Sequence, residues 1–104
     1  MITKQQIEEV KNRIVENFNP EKIILFGSYA NGNPTENSDL DLVVIQASDL
    51  PSYKRVRPIK NELRGIGFPI DILVFTPEEV EYWKGASMAF ITQVIKEGKV
   101  IYGR

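Results

Sequence analysis

The sequence predicts one α/β domain spanning residues 1–104, a short β-sheet with helices packed against it. Three observations carry that prediction. Four runs rich in β-branched and aliphatic residues, KIILF, DLDLVVI, FPIDILVF and KVIY, have strand length. Between them lie stretches whose apolar residues recur at three- and four-residue steps, the period of a helix with one buried face. Finally, 104 residues make one domain, and 42% hydrophobic content with a net charge of −1 suits a chain that buries a core rather than one that stays disordered.

Each element has a local reason. Thr3 to Phe18 is the first helix: Ile7, Val10, Ile14 and Phe18 share a face, Thr3 and Gln6 fit a capping box, and Asn19-Pro20 ends it. Lys22 to Phe26 is a buried strand that stops at Gly27-Ser28. Ser28 to Asn31 fits a short helix inside a turn-rich stretch running to Asn37. Asp39 to Ile45 is the second strand. Tyr53 to Arg64 follows as a helix with Val56, Ile59 and Leu63 on one side; Pro58 should kink it or delay its start to near Arg57. Phe68 to Phe75 is the third strand, apolar apart from Asp71. Thr76-Pro77-Glu78-Glu79 starts a short helix that ends by Gly85. Ser87 is expected to cap a further helix, with Met88, Ile91, Val94 and Ile95 inward and Gly98 just past its end. Lys99 to Tyr102 is the last strand.

The composition excludes several chemistries. With no Cys there is no disulfide, thiolate nucleophile or Cys-based zinc site. With no His there is no His-dependent serine triad, HExxH site or imidazole proton shuttle. Any metal must sit on oxygen ligands, which favours magnesium, manganese or calcium. The near-neutral charge balance argues against a strongly basic nucleic-acid binder, so direct nucleic-acid binding is not expected. No stretch has signal-peptide character, and none approaches the roughly 20 apolar residues of a membrane span. A soluble, cytoplasmic protein without membrane association is expected.

Asp39 and Asp41 stand two apart in a strand and therefore point to the same face, about 6–7 Å apart. Their repulsion is relieved either by water at the strand's start or by a divalent cation between them. Asp71 lies amid Ile70, Ile72, Leu73 and Val74, where an unpaired buried carboxylate would cost several kcal/mol. It must face water on an edge strand, pair with an Arg, or open onto a cleft. If the second and third strands are neighbours, Asp71 joins Asp39 and Asp41 in one oxygen-only cluster suited to magnesium. Gly27-Ser28 reads as a plain tight turn or as a phosphate cradle, because glycine lets a phosphate approach the backbone and serine adds a hydroxyl donor. Ser28 lies eleven positions before Asp39 in a segment that must fold back, which brings the turn beside the carboxylate pair.

Together, Gly27-Ser28-Tyr29-Ala30-Asn31-Gly32 and Ser38-Asp39-Leu40-Asp41-Leu42-Val43-Val44, with Asp71 in Pro69-Ile70-Asp71-Ile72-Leu73-Val74, strongly resemble the signature of DNA polymerase β-like nucleotidyltransferases. The likeness is greatest to the minimal, single-domain members. The resemblance implies a short mixed sheet that carries the site. It implies that Gly27 and Ser28 hold a nucleoside triphosphate, that Asp39 and Asp41 ligate two magnesium ions, and that Asp71 ligates the ion nearer the attacking hydroxyl. Such ions neutralise phosphate charge, lower the hydroxyl's pKa and hold attacking and leaving oxygens in line. One departure is Asn31, where many close relatives carry Arg; Asn cannot make the charge-assisted fork of Arg to phosphate. Minimal nucleotidyltransferases of this kind are similar to antitoxins paired with a HEPN-domain toxin, which they silence by moving AMP from ATP to a tyrosine. Magnesium-dependent AMP transfer to such a partner is the expected function. An antitoxin that neutralises by contact alone, kept open by Asn31, and a small-molecule transferase of the aminoglycoside type are the alternatives.

The remaining charged and aromatic residues have plainer readings. Lys54, Arg55, Arg57, Lys60 and Arg64 are expected to form a solvated basic face. Glu78, Glu79 and Glu81 suit the N-terminal dipole of a helix. Tyr82, Trp83, Met88 and Phe90 are expected in the core, or else in an apolar patch that joins a partner or a second copy as a homo-oligomer.

Overall fold

A computed structural model describes residues 1–104. The element order is α1 (Lys4–Phe18), β1 (Lys22–Phe26), α2 (Ser28–Asn31), β2 (Leu40–Ile45), a 3₁₀ turn at Ser52–Lys54, α3 (Val56–Glu62), β3 (Ile70–Phe75), α4 (Pro77–Trp83), α5 (Phe90–Glu97) and β4 (Lys99–Gly103). The strands make one mixed sheet in the order β3-β2-β1-β4. β1 runs antiparallel to β2 and to β4, while β2 and β3 are parallel. The α/β architecture read from the sequence is therefore present. No helix is long and apolar enough to cross a membrane.

β2 is a central strand, and after Asp41 it is apolar on both faces, as a strand covered on both sides must be. Leu40, Leu42 and Val44 meet Val10 and Ile14 of α1, Ile59 of α3 and Leu63 just past its end. Val43 and Ile45 face the opposite way, onto Ile24 of β1 and Ile91 and Val94 of α5. None of these side chains is more than 5% exposed. Each such burial stabilises the fold by roughly 1.5–3 kcal/mol. The capping box of α1 forms as expected: the Gln6 N–H donates to the Thr3 side chain, and the Thr3 N–H donates to the Gln6 side chain. Asn19 closes that helix in the left-handed region at φ 47°, its N–H on Val15 O.

For Tyr53 to Arg64 the delayed start holds rather than the kink: a 3₁₀ turn ends at Lys54 and α3 starts at Val56, one residue before Arg57. Pro58 then falls in the first turn of α3, where its missing N–H has no helical partner to lose. Ser87 does not cap α5. Two successive turns, Ala86 N–H to Trp83 O and Ala89 N–H to Ala86 O, carry the chain to Ala89, and the helix begins at Phe90. Met88 is thereby left outside the helix, and both Met88 and Ile95 are exposed rather than inward. The late aromatic cluster is not core either: Tyr82, Trp83, Met88 and Phe90 are all exposed. Tyr82 and Trp83 pack edge-on against each other. Phe90 alone turns one side inward, meeting Phe26 edge-on at 5.5 Å and lying near-parallel to Phe75 at 6.3 Å.

Arg55 also departs from the expected solvated face. Its side chain is only 10% exposed, and Nη1 pairs with Glu79 Oε1 at 2.7 Å. Its Nε donates to Leu50 O at 2.8 Å, so one guanidinium ties the start of α3 to the preceding loop and to α4. Glu79 in turn accepts from the Thr76 N–H at 2.9 Å, completing the capping box of α4. Burial pushes the Glu79 carboxyl up, but the Thr76 N–H and the Arg55 guanidinium outweigh it and hold the group below its usual 4.5. A carboxyl lowered on folding stabilises the fold above its ordinary pKa, and that contribution is lost as pH falls through the lowered value. Arg55→Ala is therefore expected to cost about 2 kcal/mol at neutral pH, less than for a fully buried pair because Glu79 is partly solvated. The variant should also lose less stability than the native chain between pH 5 and pH 3, as about one fewer favourable ion pair remains to be titrated. Parallel acid-denaturation curves for the two proteins would disprove this.

Candidate active site

The strand register assembles the site. Asp41 of β2 is the direct partner of Asp71 on β3, and Phe26 of β1 is the partner of Asp41. Phe26, Asp41 and Asp71 thus form one row across three adjacent strands, on the face that α5 covers further along. Asp39 precedes β2 by one residue, and the period of two returns it to the side of Asp41. The parallel pairing begins ahead of this row, with Leu40 N–H on Pro69 O at 3.1 Å, so the row stands inside the ladder rather than at a frayed end. β3 is the sheet's edge, and Asp71 is exposed there. Water therefore solves its burial problem, one of the outcomes anticipated from its apolar surroundings. Asp39 is exposed as well, while Asp41 is half-buried.

The electrostatics follow from that row. Burial, then the charge of Asp71, then that of Asp39 hold the Asp41 carboxyl above the ordinary 3.8. No Lys or Arg forms an ion pair with any of the three. The donor set is all oxygen, with anionic charge left uncompensated, which is the chemistry a hard divalent cation takes. The side chains do not form a finished cage, however: no three acidic groups are gathered closely enough to hold an ion. The sequence expectation of convergence holds for register and face but not for side-chain closure.

Gly27 touches this row directly. Its backbone sits at φ 73° and ψ −154°, a region essentially confined to glycine. A Cβ built there would lie 2.3 Å from Asp41 Oδ2. The missing side chain is thus what lets the β1–α2 turn lie against the carboxylate. Gly27 O accepts from the N–H groups of Ala30 and Asn31, both at 3.0 Å, which folds Ser28–Asn31 into the single turn of α2. Gly27, Ser28, Asp39, Asp41 and Asp71 are accordingly brought to one corner. Beside it is a cleft of about 290 Å³, whose walls include Phe26, Asn31, Phe90, Gln93 and Glu97. Sequence reasoning missed this cleft. Its only local signal was Phe26, immediately before Gly27.

A family described as polymerase beta, nucleotidyltransferase, matches residues 8–104. The chain belongs to the polymerase beta nucleotidyltransferase family. Among curated relatives, MJ0604 of Methanocaldococcus jannaschii, provisionally named a protein adenylyltransferase, is 33% identical over 81 residues, covering 78% of this chain and 77% of its own. The protein adenylyltransferase MntA of Shewanella oneidensis is 28% identical over 81 residues. The chain spans 52% of MntA and, at 47% identity over 64 residues, 5% of caffeine-induced protein 16 of Schizosaccharomyces pombe. A crystal structure of a toxin–antitoxin with AMP-PNP superposes with a TM-score of 0.60 at 25% identity, over 96% of this chain and 73% of that one.

Proposed function

We propose that this nucleotidyltransferase moves AMP from ATP to a tyrosine hydroxyl on a HEPN-domain toxin and so serves as the antitoxin of the pair. The observation that carries the reading is the row of Asp41 and Asp71 on paired strands, with Gly27 pressed against Asp41. Relatives named protein adenylyltransferases and the structural likeness to a toxin–antitoxin with AMP-PNP support it.

Gly27 admits a phosphate to the turn's backbone, and Ser28 offers its hydroxyl to a phosphate oxygen. Asp39, Asp41 and Asp71 would hold magnesium, which when bound supplies phosphate neutralisation and a more acidic acceptor hydroxyl. The acceptor oxygen bonds to the α-phosphorus as the bond from that phosphorus to the bridging oxygen breaks. Pyrophosphate leaves with that oxygen, and Asp71, the exposed carboxylate of the row, takes the acceptor's proton.

The test is incubation with α-labelled ATP, magnesium and a HEPN-domain toxin, alongside growth of cells expressing both proteins. Label on a toxin tyrosine together with restored growth is the expected outcome. Restored growth with no label would establish neutralisation by contact alone, the reading favoured by Asn31, which offers phosphate no guanidinium fork.

A further inference from the structure

The cleft beside Gly27 is lined differently from the carboxylate corner. It is bounded on one side by Phe26, Gly27 and Asn31 and on the other by Phe90, Gln93 and Glu97 of α5. Its volume of about 290 Å³ is near the low end of small-molecule sites, roughly the space of a nucleoside without its phosphates. The wall chemistry is wrong for phosphate, since Glu97 would repel it and no Lys or Arg lines the cleft. It suits a flat, neutral, aromatic group. Phe90 is held by Phe26 and Phe75, yet 47% of its surface stays open. That is a fixed platform for stacking. Gln93 is under-used: its amide nitrogen makes only long contacts, 3.5 Å to Ser87 O and 3.6 Å to Met88 Sδ. A free carboxamide pairs a donor and an acceptor side by side, which matches the amine-and-ring-nitrogen edge of adenine.

We infer that this cleft is the nucleoside subsite, in which Phe90 stacks on the base and Gln93 selects adenine by its hydrogen-bonding edge. The inference rests on the nucleotidyltransferase reading, because Gly27 at the cleft's mouth is where the triphosphate would begin. Glu97 then faces the ribose hydroxyls as an anionic acceptor, at the end of the cleft away from the phosphates.

Calorimetry on the full chain with magnesium separates the two readings, using ATP, CTP and inorganic tripolyphosphate as probes. The native chain should bind ATP more tightly than CTP, and both more tightly than tripolyphosphate, because either base can stack on Phe90. Gln93→Leu should weaken ATP roughly tenfold, erase the preference over CTP and leave tripolyphosphate within about twofold. Phe90→Leu should weaken ATP and CTP alike while sparing tripolyphosphate. Gln93 sits on a solvent-facing part of α5, and Gln93→Asn provides a second variant that shortens the reach without adding an apolar group. Unchanged ATP affinity in both Gln93 variants, with tripolyphosphate still bound, overturns the nucleoside subsite and leaves the nucleotidyltransferase reading standing. Equal losses for ATP and tripolyphosphate overturn it too, since the cleft would then hold phosphates. A native chain that binds neither ATP nor tripolyphosphate overturns both readings.

Discussion

Asp41→Asn is expected to abolish transfer of AMP and, in the same stroke, to make the metal-free protein more stable. Asp41 is the central carboxylate of the row, paired with Asp71 in the register and abutted by Gly27. If it anchors the magnesium that neutralises the triphosphate, its loss removes several kcal/mol of transition-state stabilisation. At about 1.4 kcal/mol per tenfold, the rate falls by at least about 10³. Folding is affected with the opposite sign. A carboxyl raised on folding is one the native state prefers protonated, so its contribution turns unfavourable as pH rises above the ordinary 3.8 and through the raised value. At neutral pH the native chain carries that burden in full. Asparagine removes the charge while nearly keeping the shape, and should return an amount on the order of 1 kcal/mol after allowance for screening by water at this open corner. For a domain of this size that is a rise in Tm of about 4–8 °C. The measurements are label transfer and thermal denaturation in chelator, each repeated with magnesium and ATP. The native chain should gain stability from magnesium-ATP and the variant should not. A variant less stable than the native chain in chelator would show that Asp41 serves the fold instead.

The opposing signs explain why part of this site was legible in the sequence. A pair of carboxylates at alternate positions of an otherwise apolar strand is a feature that folding alone disfavours, so it stands out against a pattern written by burial. Asp39, Asp41 and the Gly27-Ser28 turn could be read for that reason. Asp71 needed one more fact, that its strand lies beside β2. The sequence left that open, and it is settled by the parallel pairing of β2 and β3 across the α3 crossover. The cleft could not be read. Phe90, Gln93 and Glu97 reach Gly27 only because α5 crosses the sheet before β4 pairs with β1, and nothing local to those residues announces it. Arg55 was hidden similarly: among five basic residues it is the one whose partner lies 24 positions away. Helix starts were legible where a side chain caps them, as at Thr3 and Thr76. The start of α5 has no side-chain cap, and there the boundary moved.

Gly27→Ala should damage both the fold and the site, for two reasons that can be separated. The first is backbone: φ 73° with ψ −154° is a conformation that an L side chain adopts at a cost of about 1–3 kcal/mol. The second is contact: the new Cβ would stand 2.3 Å from Asp41 Oδ2 and 3.2 Å from its Cγ, so the carboxylate or the turn must move. A displacement near 1 Å at a reacting site costs about 10² in rate, so transfer should fall by at least that factor even in protein that remains folded. The two causes part company in an Asp41→Ala background. There the carboxylate is gone, so Gly27→Ala should carry only its backbone cost. The difference between its stability cost in the two backgrounds then measures the contact directly. Equal costs in both backgrounds would mean that Asp41 yields freely, and that Gly27 is required for the bend of the chain rather than for the approach of the turn to the carboxylate.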